Sequence, residues 1–157
     1  MTPAIKLLDK LKIPYTIRQY DTDNEHRHFG EHAATALKQN PDQVFKTLMA
    51  VLDGNTRKPV VALVSVSRQL DMKKLASACN ARKAIMADPD VAQRLSGYVI
   101  GGISPLGQRQ LFKTCIDKQA REFDTIFVSG GKRGLQLELQ PKDLVTILDA
   151  EFSELAK

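Results

Sequence analysis

Residues 44–66 read VFKTLMAVLDGNTRKPVVALVSV, and this stretch carries the clearest secondary-structure signal in the chain. Its two halves, residues 44–52 and 59–66, are rich in the apolar and β-branched residues that favour strands. Between them, residues 53–55 (Asp-Gly-Asn) are typical of a tight turn, because glycine tolerates the positive φ of hairpin turns. We therefore predict a β-hairpin here.

Helix and strand patterns alternate irregularly on both sides of this hairpin. The Thr2-Pro3 pair predicts the start of a helix, with Thr2 as its cap and Pro3 at its first position. Its apolar stripe consists of Ala4, Ile5, Leu8 and Leu11. Further helices are predicted over residues 30–38, 71–78, 88–95 (capped by Asp88) and 141–148. Further strands are predicted over residues 15–20, 98–100, 111–116, 125–128 and 135–139, the last with one face buried.

The mixed order of these elements indicates the fold class. Without a regular βαβα order, the pattern predicts an α+β fold on a mixed sheet, closed or strongly curled into a barrel-like form and surrounded by helices. A chain of 157 residues is typical of one domain, so we expect residues 1–157 to form a single domain.

Composition excludes several classes of protein. With 43% hydrophobic and 26% charged residues, the chain is not a disordered tail. No apolar run approaches the roughly 18 residues that span a bilayer, and the first residues do not resemble a secretory signal. Two cysteines, Cys79 and Cys115, do not form a disulfide framework and suit a reducing cytoplasm, although the sequence leaves their pairing open. We expect a cytoplasmic protein without a membrane partner.

The net charge of +5 agrees with a polyanionic partner but does not require one. No run of five or more basic residues occurs, as a nucleic-acid-binding arm would show. A protein with a mildly basic surface is the simpler interpretation.

Two glycine-rich segments, residues 101–107 (GGISPLG) and 129–134 (SGGKRG), each follow a predicted strand. Such segments either form tight turns or let a ligand approach backbone N–H groups, which bind anions and oxyanions. Neither matches a P-loop or a dinucleotide fingerprint. Lys46 is a second candidate, since alternation places it on the same face as Leu48 and Ala50. Its side chain either extends to the surface or lines a pocket.

Other catalytic arrangements are poorly supported. His28 and His32 are four residues apart, as in some zinc hydrolases, but the His-Glu-x-x-His order is missing, and with His26 they are more typical of solvated loop residues. No Gly-x-Ser-x-Gly motif occurs, and both cysteines are typical of small core residues. We predict no metal and no cofactor, and an enzyme built on this chain would lack the usual side-chain nucleophile.

Residues 1–8, 45–48, 101–107 and 128–135 together resemble the YbaK family, and the likeness extends from Met1 to about Leu155. These free-standing bacterial deacylases hydrolyse mischarged Cys-tRNA(Pro) and are related to the editing domain of bacterial prolyl-tRNA synthetases. The resemblance implies a barrel-like β core ringed by helices. It also implies that the substrate is the 3′ end of an aminoacylated tRNA, that prolyl-tRNA synthetase is a partner, and that the substrate's own thiol attacks its carbonyl.

The resemblance implies the site residues as well. Lys46 and Gly101 match its catalytic positions, and Tyr20 matches a pocket tyrosine. The other implied substrate-binding residues are Thr47, Gly102, Ser104, Ser129, Gly130 and Arg133. Some members carry an acidic residue where this chain has Gln136, so a carboxylate's role does not transfer to that position.

Two alternatives stay open at this point. The chain could deacylate tRNA carrying another small amino acid, such as Ala-tRNA(Pro), because one sequence does not fix the size of the pocket. It could also be a non-catalytic module that binds tRNA ends.

Overall fold

The computed structural model describes residues 1–21 and 29–157. Its helices are α1 (Pro3–Leu11), α2 (Phe29–Ala36), α3 (Met72–Ala78), α4 (Pro89–Ser96) and α5 (Pro141–Leu148), with a 3-10 helix over Lys118–Glu122. Its strands are β1 (Thr16–Gln19), β2 (Phe45–Leu52), β3 (Val60–Ser65), β4 (Ala84–Met86), β5 (Thr114–Asp117), β6 (Ile126–Ser129), β7 (Leu135–Leu139) and β8 (Glu151–Ser153). In these ranges no helix is both long enough and apolar enough to cross a membrane.

The strands form two sheets, which confirms the mixed α+β class. One sheet has the order β1-β7-β6 and is antiparallel, and the other has the order β4-β2-β3-β5-β8 with parallel pairs at β3-β5 and β5-β8. The sheets do not close into one barrel. Val44 and Phe127 form an isolated parallel bridge from the start of β2 to β6, and no continuous ladder joins the two sheets in the described ranges.

The predicted hairpin is confirmed at the centre of the larger sheet. β2 pairs antiparallel with β3, in a register from Phe45 opposite Ser65 to Ala50 opposite Val60. Every residue of β3 is buried, as expected of a strand that is covered on both faces. The sequence did not predict β4 and β8, because strands of three residues carry too little pattern to detect.

Helix α1 begins as predicted. The Thr2 side chain accepts a hydrogen bond from the Ile5 N–H at 3.3 Å, and Pro3 occupies the first helical position. Ala4, Ile5 and Leu8 are buried, but Leu11 is 45% exposed, so its predicted place in the apolar stripe is wrong. The C-cap of helix α1 is Lys12, which has a left-handed φ of 57°. Leu11 lies in the last turn of the helix, beyond the apolar core.

One local prediction is wrong, and another holds in part. Residues 98–100 do not form a strand but an irregular segment after α4, where the Tyr98 hydroxyl donates a 2.6 Å hydrogen bond to the Leu106 carbonyl. Asp88 occupies the N-cap position of α4 and Pro89 opens the helix, as predicted, but the Asp88 side chain makes no capping bond. Hence only the second glycine-rich segment follows a strand directly.

Strand β7 is buried on both faces, contrary to the one-sided burial that its alternation predicted. Leu135 and Leu137 face the core as expected, but Gln136 between them is only 6% exposed. The face that carries Gln136 is not open to solvent, because it borders the cavity described below, whose other walls come from β2, α2 and the first glycine-rich segment.

The two cysteines are free thiols. Cys115 is buried on β5 and Cys79 is half-buried at the end of α3, with 3.9 Å between their sulfur atoms. Burial, followed by the neighbouring Cys79, raises the pKa of the Cys115 thiol to about 12. Cys115 is therefore an inert core residue at neutral pH.

Candidate active site

A cavity of about 330 Å³ lies where the beginning of β2 meets the two glycine-rich segments. Residues 101–107 are called the first loop below, and residues 129–134 the second loop. The wall comes from the first half of β2, the start of α2, the first loop and the ends of β6 and β7. A volume of this size suits a small organic group, such as an amino acid on its ester.

Four of the predicted site residues line this cavity. They are Lys46, Thr47, Gly101 and Ser129. The two residues predicted to be catalytic, Lys46 and Gly101, thus share one wall although they are far apart in sequence. Two contacts explain this. The Val44–Phe127 bridge brings the start of β2 to β6, and Gly102 packs against Lys132 in the segment that follows β6.

Lys46 supplies a half-buried ammonium group. Burial lowers its pKa from the ordinary value of 10.5, and the negative charge of Glu31, on α2 and on the same cavity wall, opposes this shift. A poorly solvated ammonium interacts more strongly with an anion than a fully hydrated one does. Lys46 is therefore suited to contact a phosphate or a developing negative charge.

Gly101 occupies a position that no other residue fits. Its φ is +86°, and an added Cβ would lie 2.8 Å from the Phe29 ring and 2.9 Å from Nε of Arg133. Both contacts are shorter than a carbon atom tolerates, and the backbone conformation is one that L-residues avoid. The glycine therefore lets the Phe29 ring and the Arg133 side chain pack directly against the backbone at the cavity wall.

Gly102 joins the two loops instead of lining the cavity. A Cβ on Gly102 would lie 2.8 Å from the Lys132 Cα, so the backbones of the two loops are in direct contact here. The Gly102 N–H donates a 2.9 Å hydrogen bond to the Val99 carbonyl and is thus already used within the protein.

Arg133 fixes the same junction from the second loop. Its Nε donates a 2.9 Å hydrogen bond to the Ile100 carbonyl, and its guanidinium carbon lies 4.5 Å from the centroid of the Phe29 ring. Ile100 and Phe29 both line the cavity, whereas Arg133 lies behind them. This geometry suits a residue that holds the wall in place.

The remaining predicted residues lie outside the wall. The Tyr20 N–H donates to the Gly134 carbonyl, and its ring meets His32 edge-on with 5.6 Å between centroids. Ser104 is fully buried, and its hydroxyl accepts from the Leu106 N–H at 3.2 Å. The Gly130 carbonyl accepts a 2.5 Å hydrogen bond from Thr2. Contacts of these three residues with a substrate stay predictions.

Several wall residues were not predicted from the sequence. Phe29 and Glu31 lie on α2, Ile103 lies in the first loop, and Gln136 lies on β7. The sequence signals were a polar residue at position 136 between two leucines and the family resemblance, in which some members carry an acidic residue there. In the described part of the chain, Gln136 Oε1 and Thr47 Oγ1 are buried and have no hydrogen-bond partner.

The cavity wall provides no obvious activated nucleophile. The Ser129 hydroxyl accepts a 3.2 Å hydrogen bond from the Gly131 N–H, and no hydrogen bond joins Ser129 to Lys46 among the contacts that the structure describes. Over residues 1–21 and 29–157, no group of three or more His, Cys, Asp and Glu residues is placed to hold a metal. His26 and His28 lie outside the described residues. The wall brings together the Lys46 ammonium, the polar side chains of Thr47, Ser129 and Gln136, and the backbone at Gly101.

Comparison with known sequences gives a consistent picture. A sequence profile described as "Aminoacyl-tRNA editing domain" matches residues 25–147. EbsC of Enterococcus faecalis, named as a proposed Cys-tRNA(Pro)/Cys-tRNA(Cys) deacylase, is 34% identical over 154 residues, which are 98% of this chain and 92% of that protein. The Ser/Thr-tRNA deacylase ProXp-y of Escherichia coli is 29% identical over 78% of this chain and 72% of its own length.

Solved structures share the fold. A proposed trans-editing enzyme for prolyl-tRNA synthetase superimposes with a TM-score of 0.85 at 20% identity, covering 99% of this chain and 95% of that one. The hypothetical protein APE2540 superimposes with a TM-score of 0.87 at 15% identity, with 99% of both chains covered.

Proposed function

This chain belongs to the family of aminoacyl-tRNA editing domains, and from that premise we propose that it deacylates mischarged Cys-tRNA(Pro) in trans, as one domain over residues 1–157. The observation that most supports this proposal is that Lys46 and Gly101 line one cavity whose described wall holds no activated nucleophile. The enzyme acts in the cytoplasm, where aminoacyl-tRNA is made and used.

The substrate supplies the attacking group. The cysteine sulfur forms a bond to its own ester carbonyl carbon, and the bond from that carbon to the ribose oxygen breaks. The thiol proton passes to the ribose oxygen, so free tRNA leaves together with a four-membered thiolactone, which water opens to cysteine. The aminoacyl ester is already activated, so holding sulfur and carbonyl in close contact supplies much of the acceleration.

Each wall group has a separate role in this reaction. The backbone N–H of Gly101 stabilises the oxyanion that forms on the carbonyl oxygen, a contribution typically worth a factor of about 10²–10³ in rate for one donor. The neighbouring N–H groups of Ile100 and Gly102 are already bonded to the Gln93 side chain and the Val99 carbonyl. The Lys46 ammonium holds the terminal adenosine or its phosphate. The hydroxyls of Thr47 and Ser129 complete the polar part of the wall.

The need for such an enzyme follows from the sizes of the amino acids. Cysteine and proline are close in volume, so a synthetase pocket built for proline rejects cysteine by only about 1–3 kcal/mol and needs a second, hydrolytic site. With a net charge of only +5, this small protein is a weak reader of the tRNA body, and prolyl-tRNA synthetase supplies the tRNA selection. The free enzyme therefore also deacylates Cys-tRNA(Cys).

A panel of preformed aminoacyl-tRNAs tests the proposal. The pure protein is incubated in single-turnover experiments with Cys-, Ala-, Ser- and Pro-tRNA(Pro), and with Cys-tRNA(Cys). We expect rapid loss of both cysteinyl substrates and little loss of Pro-tRNA(Pro). Preferred cleavage of Ala-tRNA(Pro) would instead assign the pocket to alanine, and the absence of cleavage on every substrate would contradict the proposal.

The variant Lys46→Ala separates catalysis from binding. If the chain is an enzyme, the variant loses deacylation even at protein concentrations that saturate tRNA binding, measured by filter binding. If it is a binding module, wild type and variant both fail to deacylate, and only binding changes.

A further inference from the structure

Gln136 places a buried, unpartnered oxygen atom on the wall of the cavity. In β7 its backbone lies in register with Arg18 on β1 and Ser129 on β6. The residue is only 6% exposed, and its Oε1 has no hydrogen-bond partner in the part of the chain that the structure describes. Buried polar atoms are normally paired, so an orphan on a cavity wall indicates a ligand that pairs with it.

A second orphan lies on the same wall. The buried Oγ1 of Thr47, next to Lys46 on β2, also has no hydrogen-bond partner in the described ranges. An amide oxygen only accepts hydrogen bonds, and a hydroxyl both accepts and donates. The two orphans together therefore match a ligand group that is rich in donors.

The aminoacyl part of the proposed substrate has one such group. The adenine amine and the ribose hydroxyl are donors too, but they belong to the tRNA and not to the amino acid whose carbonyl reacts. The phosphates and the ester carbonyl only accept hydrogen bonds, and the Lys46 ammonium and the Gly101 N–H serve them. The α-amino group carries two or three N–H donors on the atom next to the reacting carbonyl. Placing this amine against fixed acceptors orients the carbonyl and, through Cα, the side-chain thiol.

We infer that Gln136 is a substrate-positioning residue whose Oε1 accepts a hydrogen bond from the α-amino group of the aminoacyl ester, assisted by Thr47. This inference rests on the proposed deacylase function and adds the group by which the cavity recognises an amino acid. Because the amide is neutral, it accepts from an amine or an ammonium alike, and it adds no negative charge beside Lys46.

A substrate without the amine tests the contact directly. Wild type and Gln136→Leu are each compared on Cys-tRNA(Pro) and on 3-mercaptopropionyl-tRNA(Pro), which keeps thiol and ester but lacks the α-amino group. Each rate is divided by the spontaneous deacylation rate of the same substrate, because the α-amino group itself activates the ester. On this scale we expect wild type to deacylate the cysteinyl substrate about tenfold faster, the effect of one good hydrogen bond. Gln136→Leu should lose most of that preference by slowing on Cys-tRNA(Pro) alone, and Gln136→Glu, which keeps an acceptor, should retain it.

A matched control shows whether the effect depends on the position of the glutamine in the cavity or only on the loss of a buried amide. Gln119, on the 3-10 helix, also has a buried Oε1 without a partner among the described residues, but it lies outside the cavity. Gln119→Leu should therefore keep the full preference for the amine. Both leucine variants should unfold at or above the wild-type temperature, because each removes an unpaired buried oxygen.

The outcomes are distinct. An equal loss on both substrates in Gln136→Leu would overturn the inference, because it would mean that Gln136 contacts another group, such as the ribose, or only shapes the wall. Wild type that deacylates the deamino substrate as fast as Cys-tRNA(Pro) would overturn it too. Failure of wild type on every aminoacyl-tRNA would instead overturn the proposed function itself.

Discussion

The 2.9 Å hydrogen bond from Nε of Arg133 to the Ile100 carbonyl joins the two loops at the cavity wall. Ile100 directly precedes Gly101, the first residue of the first loop, and the same guanidinium lies over the Phe29 ring. The backbone of Gly102 contacts the second loop beside it. The Ile100 carbonyl and the Gly101 N–H belong to one peptide group, so the position of that N–H depends on the second loop as well as on the first.

Arg133→Lys should slow deacylation about ten- to a hundredfold. Lysine has no planar guanidinium, so it cannot bond the Ile100 carbonyl and stack on Phe29 at the same time. Small displacements of catalytic groups lower the rate strongly. Single-turnover rates measure the effect. Arg121→Lys is the control, since Arg121 lies 5.3 Å from the Phe152 ring in a similar stack away from the cavity. Equal rates for both variants and wild type would show that the loops do not need this clamp.

Gly101→Ala should abolish most activity, with a loss of about a hundredfold or more, because the new methyl group displaces Phe29 and Arg133 at the oxyanion-binding turn. Gly54→Ala is a matched control: its φ of +75° is similarly strained, but its Cβ meets nothing within 4 Å. That variant should lose about 1 kcal/mol of unfolding free energy and keep full activity. An active Gly101→Ala enzyme would contradict the assigned role of this turn.

Lys46→Met should raise the free energy of unfolding at pH 7 while it removes deacylation. Burial lowers the pKa of Lys46 in the folded protein below 10.5, so the unfolded state holds the proton more tightly. Protonated Lys46 therefore lowers the free energy of unfolding of the wild type. This loss is largest at pH values below the folded pKa and disappears as the pH rises from there towards 10.5. Urea unfolding at pH 7, 9 and 10 should show the advantage of the variant shrinking with pH.

The exposed Lys142 on α5 controls for the loss of one positive charge. Lys142→Met should keep wild-type deacylation. If it loses activity to the same extent as Lys46→Met, the effect is one of net charge on tRNA binding and not of the cavity.

Thr2→Ala should lower the free energy of unfolding by about 1–2 kcal/mol, because one hydroxyl caps α1 through the Ile5 N–H and also bonds the Gly130 carbonyl of the second loop. Thr2→Ser keeps both bonds and should lie within a few tenths of a kcal/mol of wild type. Chemical denaturation measures both variants. A serine variant as unstable as the alanine variant would assign the effect to the lost methyl group instead.

The local parts of the fold were predictable because their signals are local. The Thr2-Pro3 start of α1 and the turn after Leu52 follow from capping and turn chemistry within a few residues. Leu11 was misassigned because the end of α1 is set by where the core stops. Tyr98 was misassigned because its apolar neighbourhood suited a strand, whereas its hydroxyl bonds the Leu106 carbonyl.

The cavity was only partly predictable. Lys46 and Gly101 could be singled out by an ammonium on an apolar strand and by a glycine pair, together with the family resemblance. Glu31 and Gln136 could not, since their place on the wall depends on how α2 and β7 pack against β2. In particular, the alternation around Gln136 shows that one face of β7 differs from the other, but not that a cavity rather than water lies beside it.

The central claim is that the protein provides the shaped, charged cavity and the substrate's thiol performs the attack. The most direct test is the single-turnover rate of the wild-type protein on Cys-tRNA(Pro) compared with Ser-tRNA(Pro), which differs by one atom. We predict rapid deacylation of the cysteinyl substrate and a rate close to spontaneous hydrolysis for the seryl one, since a hydroxyl is the much weaker nucleophile. Equal rates on the two substrates would contradict the claim.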